Sequence, residues 1–278
     1  MSAGIRLEQA AVVLTGAAGG IGAPTARLLA AAGARLLLVG RDAARLEALA
    51  RELDPAARVE GDAGGAGGRE GARVDWCAVD LTTPQGVEAV RMMALARRAN
   101  VLINNAGIAS FGRLTALGEA HVTQVIATNL LAPLLLTQAL LPGLLERPQA
   151  AVLHVGSALG RLGLPGFSAY SAAKFGLLGF SEALRRELAG GPVRVQYLGP
   201  RVTETGFNAP EVQAYNQTTG AGSDTAQAVA EALVAQLRDG SAERFLGFPE
   251  KLAVRLNGLI PAAMDGAFKA HRLALPAP

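Results

Sequence analysis

The sequence predicts an α/β fold, a single-domain, doubly wound parallel sheet with helices on both faces. Two observations carry this reading. Short continuous apolar runs alternate along the chain with longer segments of helical spacing, the pattern of strands that are buried on both faces. A glycine-rich turn, Thr15-Gly-Ala-Ala-Gly-Gly-Ile-Gly22, joins the first apolar run to the first helical segment, at a strand end where open α/β sheets take their ligands.

In chain order, residues 10–15 (AAVVLT) form the first strand and residues 20–32 the first helix. Pro24 falls in the first turn of that helix, where a missing N–H costs nothing. Residues 35–39 (RLLLV) are the second strand and 43–53 the second helix. Strands follow at 73–79 and 101–104, with a helix over 85–98 between them. One long helix is expected over 119–141, a strand at 151–155, a second long helix over 168–188 and a strand at 193–198. A helix over 226–237 and a short strand at 244–247 complete the series. The whole chain, 1–278, reads as one domain, a routine length for this class. Only residues 61–71 (GDAGGAGGREG) interrupt the order, between the near-repeats AARVE and GARVD. Their composition is that of a surface loop, and no helix opening with Lys-Ser/Thr follows to make them a phosphate cradle.

Half the residues (50%) are apolar, enough for a large core, and the formal charge is only +3. No basic stripe with interleaved aromatics is present, which argues against nucleic acid. Cys77 is the only cysteine, so no intramolecular disulfide is available. No Cys/His cluster has zinc spacing, and no metal is expected. This usage and the lack of a signal-peptide pattern fit a reducing, cytoplasmic location. Residues 126–145 are uncharged and long enough to span a bilayer. Asn129, Pro133, Gln138 and Pro142 interrupt them, and they lie mid-domain, so a buried helix is expected instead.

Five features carry chemistry. Glycines in the 15–22 turn let the backbone approach a pyrophosphate, and the following helix N-terminus offers free N–H groups. Tyr170-Ser-Ala-Ala-Lys174 puts a phenol and an ammonium on one helix face. A nearby ammonium favours the phenolate, giving an acid/base usable near neutral pH. Ser157 closes the strand at 151–155, where a hydroxyl can meet a substrate oxygen. Asn104-Asn-Ala-Gly107 ends the fourth strand, and Asn129 sits inside an apolar helix, where it needs partners.

Together, in this order and spacing, these motifs resemble those of the short-chain dehydrogenase/reductase family, across residues 10–205. The resemblance implies a Rossmann-type fold and an NAD(P)-dependent oxidoreductase acting on CH–OH and C=O groups. It implies a dinucleotide held by Gly16, Gly20, Ile21 and Gly22, by Asp80 and Leu81 beside the adenine, and by Asn105, Ala106 and Gly107 along the adenosine ribose. It implies a tetrad of Asn129, Ser157, Tyr170 and Lys174. Tyr170 exchanges a proton with the substrate oxygen, and Lys174 lowers the Tyr170 pKa and holds the nicotinamide ribose. Ser157 polarises the carbonyl, and Asn129 holds a water that relays protons to Lys174. Where the family has Pro-Gly, this chain has Pro200-Arg201; Pro200 can still wall the nicotinamide site, and Thr203 or Thr205 can reach the cofactor.

The second strand ends Leu38-Val39-Gly40-Arg41, without the Asp that NAD-preferring relatives place at position 40. A guanidinium suits a 2′-phosphate, so NADP(H) is expected and NAD(H) comes second. Asp42 is expected to turn into the next helix, leaving Arg41 to discriminate alone. Substrate contacts are expected from residues 158–168, 206–222 and 250–278, with Arg161 and Arg201 the obvious cations nearby, which points to a lipophilic carbonyl or alcohol. The alternative class is a catalytically silent dinucleotide sensor or scaffold, but such proteins usually lose Tyr or Lys. The apolar helices at 119–141 and 168–188 suggest a homodimer or homotetramer. The tail at 251–272 reads as a lid over the cleft, or alternatively as a weak peripheral membrane contact. His154 is expected to be a buried, hydrogen-bonded core residue.

Overall fold

The computed structural model describes residues 4–54, 73–207, 209–248 and 250–275. Its central sheet contains β1 (Ala11–Thr15), β2 (Arg35–Gly40), β3 (Val74–Ala78), β4 (Val101–Asn104), β5 (Ala150–Val155), β6 (Val193–Gly199) and β9 (Glu243–Phe245). All seven run parallel, in the order β3-β2-β1-β4-β5-β6-β9. The strand order reverses between β1 and β4, which opens a crevice at their C-terminal ends.

Strand alternation explains why these runs are apolar throughout. Val12, Leu14, Leu36 and Leu38 face one layer, packed with Leu29 of α1 (Gly22–Ala31), Leu46 of α2 (Ala43–Leu53), and Leu233 and Leu237 of α8 (Ala226–Asp239). Val13, Leu37 and Val39 face the other, under Val90 of α3 (Pro84–Ala96) and Leu136, Leu140 and Leu144 of α5 (Ala132–Leu145). Successive strand residues thus belong to different cores, and the i, i+4, i+8 leucines of α5 form its buried stripe. Each such side chain stabilises the fold by roughly 1.5–3 kcal/mol of burial.

The long helix expected over 119–141 is not regular. It runs as α4 (Glu119–Ile126), a π-helical turn at Ala127–Leu131, then α5. Pro133 has no N–H to return to the Asn129 carbonyl, so the ladder widens around Asn129. Helix Glu119–Leu145 is long and apolar enough to cross a membrane by length and composition; here its leucine stripe lies on the sheet.

Three further segments carry elements that the sequence pattern left unassigned. Residues 206–222 contain α7 (Pro210–Thr219), which ends in left-handed Gly220. A second, two-stranded sheet pairs β7 (Val202–Glu204) with β8 (Ser223–Thr225). The tail is three short helices, α9 (Glu250–Leu259), α10 (Pro261–Met264) and α11 (Lys269–Leu273), because Pro261 and Gly266 break the helical pattern. The glycine-rich tract at 61–71 lies outside the described residues.

Candidate active site

The crevice holds a cavity of about 890 Å3. Its floor is the glycine turn. Gly16 has φ +63°, and a Cβ there would stand 2.9 Å from Ala106 Cα, so only glycine fits. A Cβ on Gly20 would meet Thr205 Cγ2 at 2.3 Å, and one on Gly22 would meet the Gly16 carbonyl at 2.1 Å. Ile21 is the N-cap of α1, and its carbonyl accepts the Thr25 hydroxyl at 2.7 Å. The turn is fastened from β4. Thr15 Oγ1 accepts the N–H groups of Asn105 and Ala106 at 2.9 and 3.0 Å, and Asn105 Nδ2 donates to the Thr15 carbonyl at 3.0 Å. The Asn105 side chain therefore holds the glycine turn. The Thr15 hydroxyl is a structural residue that motif reading passed over, although it opens the motif.

At one end of the cavity lie Arg41, Asp80 and Leu81. Asp80 accepts from the Thr82 N–H and hydroxyl, at 2.9 and 2.7 Å. These bonds, and then Arg41, hold its carboxyl below the usual range. Asp42 caps α2, accepting the Arg45 N–H at 3.0 Å, so its carboxylate turns into its own helix as expected. Arg41 is not alone: Arg45, in the first turn of α2, also lines the cavity and donates to the Ala18 carbonyl of the glycine turn at 2.6 Å.

At the other end, α6 (Ser168–Glu187) presents Tyr170 and Lys174. Ser157 follows β5; its Oγ accepts the Leu159 N–H at 3.1 Å, and it lines the cavity together with Tyr170. Lys174 Nζ donates to the Val155 carbonyl at 3.1 Å and lies 5.6 Å from the Tyr170 ring centre. A Cβ on Gly107 would stand 3.1 Å from Asn129 Oδ1 and 4.0 Å from Lys174 Nζ, so these groups share one corner. Asn129 uses both ends of its amide on Ile108, accepting its N–H and donating to its carbonyl, each at 2.8 Å. Its side chain thereby ties the π-helical turn to the loop after β4.

Electrostatics correct one expectation. The Tyr170 pKa is raised to about 12 by burial, with the Ser157 hydrogen bond opposing, and is not lowered. Lys174 is itself depressed to about 8 by burial. Desolvating a phenolate outweighs an ammonium turned toward a main-chain carbonyl. Tyr170 therefore stands protonated at neutral pH.

Pro200 and Thr203 also line the cavity; the Pro200 carbonyl accepts the Ala158 N–H at 2.8 Å, and the Thr203 hydroxyl donates to the Arg201 carbonyl at 3.2 Å. The two cations expected beside the substrate are otherwise engaged. Arg161 pairs with Glu182 and Glu243, at 2.5 and 3.0 Å. Arg201 pairs with Asp224 at 3.0 Å, which ties β7 to β8. The remaining wall includes the rings Phe167, Phe207, Tyr215, Phe268 and His271 beside Leu162, Leu164 and Val212. Tyr215 of α7 meets His271 Nδ1 of α11 at 2.7 Å and donates to the Pro165 carbonyl at 3.2 Å. His154 is buried on β5, with Nδ1 accepting from Asn104 Nδ2 at 3.2 Å; burial lowers its pKa to about 3. Among the described residues, no group of three His, Cys, Asp or Glu side chains could hold a metal.

The short chain dehydrogenase family matches residues 10–216. The chain belongs to this family. Dehydrogenase/reductase SDR family member 7B of Bos taurus is 33% identical over 92% of this chain and 79% of its own length. A 3-oxoacyl-(acyl-carrier-protein) reductase of Vibrio cholerae is 30% identical over 72% and 76%. Among solved structures, a variant of actinorhodin polyketide ketoreductase with NADPH superposes with a TM-score of 0.72 at 25% identity, covering 86% of this chain and 95% of that one. Serine dehydrogenase complexed with NADP+ gives 0.71 at 25% identity, over 84% and 93%. This short-chain dehydrogenase/reductase is accordingly an NAD(P)-dependent oxidoreductase acting on CH–OH or C=O groups.

Proposed function

We propose that the enzyme uses NADP(H) and reduces a lipophilic ketone or aldehyde, or oxidises the matching alcohol. The observation that carries this is the cavity itself, which runs from two arginines past the glycine turn to Ser157 and Tyr170, and then between aromatic walls. The residues fit a dinucleotide, since Arg41, Asp80, Gly16, Gly20, Asn105 and Lys174 line one continuous cavity of about 890 Å3. Gly16, Gly20, Ile21 and Gly22 would hold the pyrophosphate, and Asp80, Leu81, Asn105, Ala106 and Gly107 the adenosine. Lys174, Pro200 and Thr203 would hold the nicotinamide end. Arg41 and Arg45 would take the 2′-phosphate, with Asp42 turned away into its cap. NADPH and NADP+ are bound by the two structural relatives named above, which supports this choice.

When bound, the cofactor supplies or accepts the hydride. The chain handles the proton. Ser157 Oγ and Tyr170 Oη converge to donate hydrogen bonds to the carbonyl oxygen, stabilising its developing charge. Tyr170, protonated at neutral pH, then delivers its proton to that oxygen. Lys174 fixes the local main chain at Val155 and supplies positive charge beside the phenolate left behind. Asn129 holds the loop carrying Ile108 against α6.

The substrate side is assigned to residues 158–168, 206–222 and the tail of the single domain 1–278. Arg161 and Arg201 are paired, and among the described residues of the tail no Arg or Lys lines the cavity, which favours an apolar substrate. Leu131, Leu135 and Phe175 are exposed on the α5 and α6 faces, which supports a homodimer or homotetramer through those helices. Phe248, Leu259 and Leu273 are exposed around the tail, so a weak membrane contact remains the second reading for an otherwise cytoplasmic protein. A ketone and alcohol panel run with both cofactors tests the function. Turnover of apolar ketones with NADPH is expected; exclusive use of NADH, or of carboxylated substrates, would overturn it. The silent-sensor alternative requires that no member of the panel be turned over.

A further inference from the structure

Tyr197 sits in β6, behind the reacting groups, and forms no part of the cavity wall. It is completely buried. Both of its hydroxyl partners are on one residue: Oη donates to the Ser157 carbonyl at 3.0 Å and accepts the Ser157 N–H at 3.1 Å. The sheet explains why Ser157 needs them. Gly156 and Ala158 give their N–H groups to the β6 carbonyls of Leu198 and Pro200, at 2.7 and 2.8 Å. Strand alternation then turns the main-chain groups of Ser157 away from β6. On that side β4 has already ended, at Asn104 opposite His154. A buried main-chain N–H needs a partner, and the Tyr197 side chain supplies one from across the strand.

Two glycines make the reach possible. A Cβ on Gly156 would stand 2.0 Å from Tyr197 Cζ and Oη, and a Cβ on Gly160 would stand 2.1 Å from Oη. The ring is braced by Phe245, with centres 5.8 Å apart, and by Leu177 and Leu178 of α6, the helix that carries Tyr170. We infer that Tyr197 is a positioning residue whose hydroxyl clamps the Ser157 main chain and so sets the aim of Ser157 Oγ on Tyr170 Oη and the substrate oxygen, with Gly156 and Gly160 kept small to admit its ring. This rests on the reading of Ser157 and Tyr170 as the reacting pair. Small errors of aim in such a pair cost large factors in rate.

Tyr197→Phe removes one oxygen and keeps the ring. Turnover per cofactor-binding site should fall on the order of tenfold, the scale of one buried hydrogen bond, with KM and cofactor affinity unchanged. The Ser157 hydrogen bond lowers the Tyr170 pKa, so loosening it should move the alkaline limb of the pH–rate profile upward. The phenolate absorbance of Tyr170, one of three tyrosines in the chain, should move up with it, and Tyr170→Phe assigns that signal. Gly156→Ala keeps the hydroxyl but displaces the ring, and should lower turnover and shift the titration in the same direction; it carries the test if Tyr197→Phe does not fold. A merely structural tyrosine would lower the melting temperature and leave turnover per site and both titrations as in the wild type, and that result overturns the inference. Undiminished turnover in Tyr170→Phe would instead sink the reading of the site.

Discussion

The two halves of the cleft are built in different ways. The half proposed for the cofactor is mostly main chain: a glycine turn without room for side chains, stapled to β4 through the Thr15 hydroxyl and Asn105. The half proposed for the substrate is mostly side chain: Phe167, Tyr215 and His271 come from three segments between residues 167 and 271 and meet as rings. Main-chain recognition demands particular residue types at fixed spacing and leaves a motif. Side-chain walls can be assembled from many sequences and leave none. The first half accordingly suits a ligand common to the whole family, and the second suits a substrate particular to this enzyme.

The sharpest test of the junction between the halves is Tyr170→Phe. It removes the proposed proton donor and keeps the ring, so turnover should drop by at least ~10²-fold while cofactor titration by fluorescence stays at the wild-type value. Near-normal turnover would mean that another group delivers the proton.

The cofactor half is probed next by Arg41→Ala. NADPH binding should weaken by roughly 1.5–3 kcal/mol, the scale of a hydrogen bond to a charged group, with NADH nearly untouched. Because Arg45 also lines this end and is tethered to Ala18, Arg45→Ala should give a smaller loss in the same direction, and the double variant should approach equal affinity for the two cofactors. An equal loss for NADPH and NADH would show that the arginines hold the glycine turn and not a phosphate.

The substrate half should respond more gently. His271→Ala breaks the contact between α11 and Tyr215 of α7, worth about 1 kcal/mol for a neutral hydrogen bond. KM for a bulky apolar ketone should rise several-fold, with the NADPH dissociation constant unchanged. Unaltered KM across the panel would remove the tail from the substrate site.

A test of stability alone lies beneath both halves. His154 titrates near 3 in the folded protein, against its ordinary value of 6.5, because its ring is buried. Between these values the unfolded chain binds the extra proton, so stability falls as pH drops from about 6.5 toward 3. His154→Gln should flatten this slope in urea unfolding midpoints compared at pH 7 and pH 5. A slope identical to that of the wild type would show that acid sensitivity comes from carboxylates instead.

Much of this organisation was legible in the sequence. The strands could be placed because each had to bury both faces, and the glycine turn, Asn105, Ser157, Tyr170 and Lys174, singled out by residue type and interval, line one cavity. The turn of Asp42 into α2 followed from ordinary helix capping. Tertiary structure alone decided the rest. Arg161 and Arg201 looked like substrate cations until distant carboxylates met them, and the Asn129 amide was claimed by the Ile108 main chain. The rise of the Tyr170 pKa could not be read from Lys174 four residues away, because it depends on how completely the surrounding chain excludes water. Tyr197, Gly156 and Gly160 show the same limit: as a sequence they are a strand tyrosine and two loop glycines, and only the adjacency of β5 and β6 makes them one lock on Ser157. Local pattern determines what a backbone segment can become, while charge pairing, desolvation and contacts between strands depend on which segments the fold brings together.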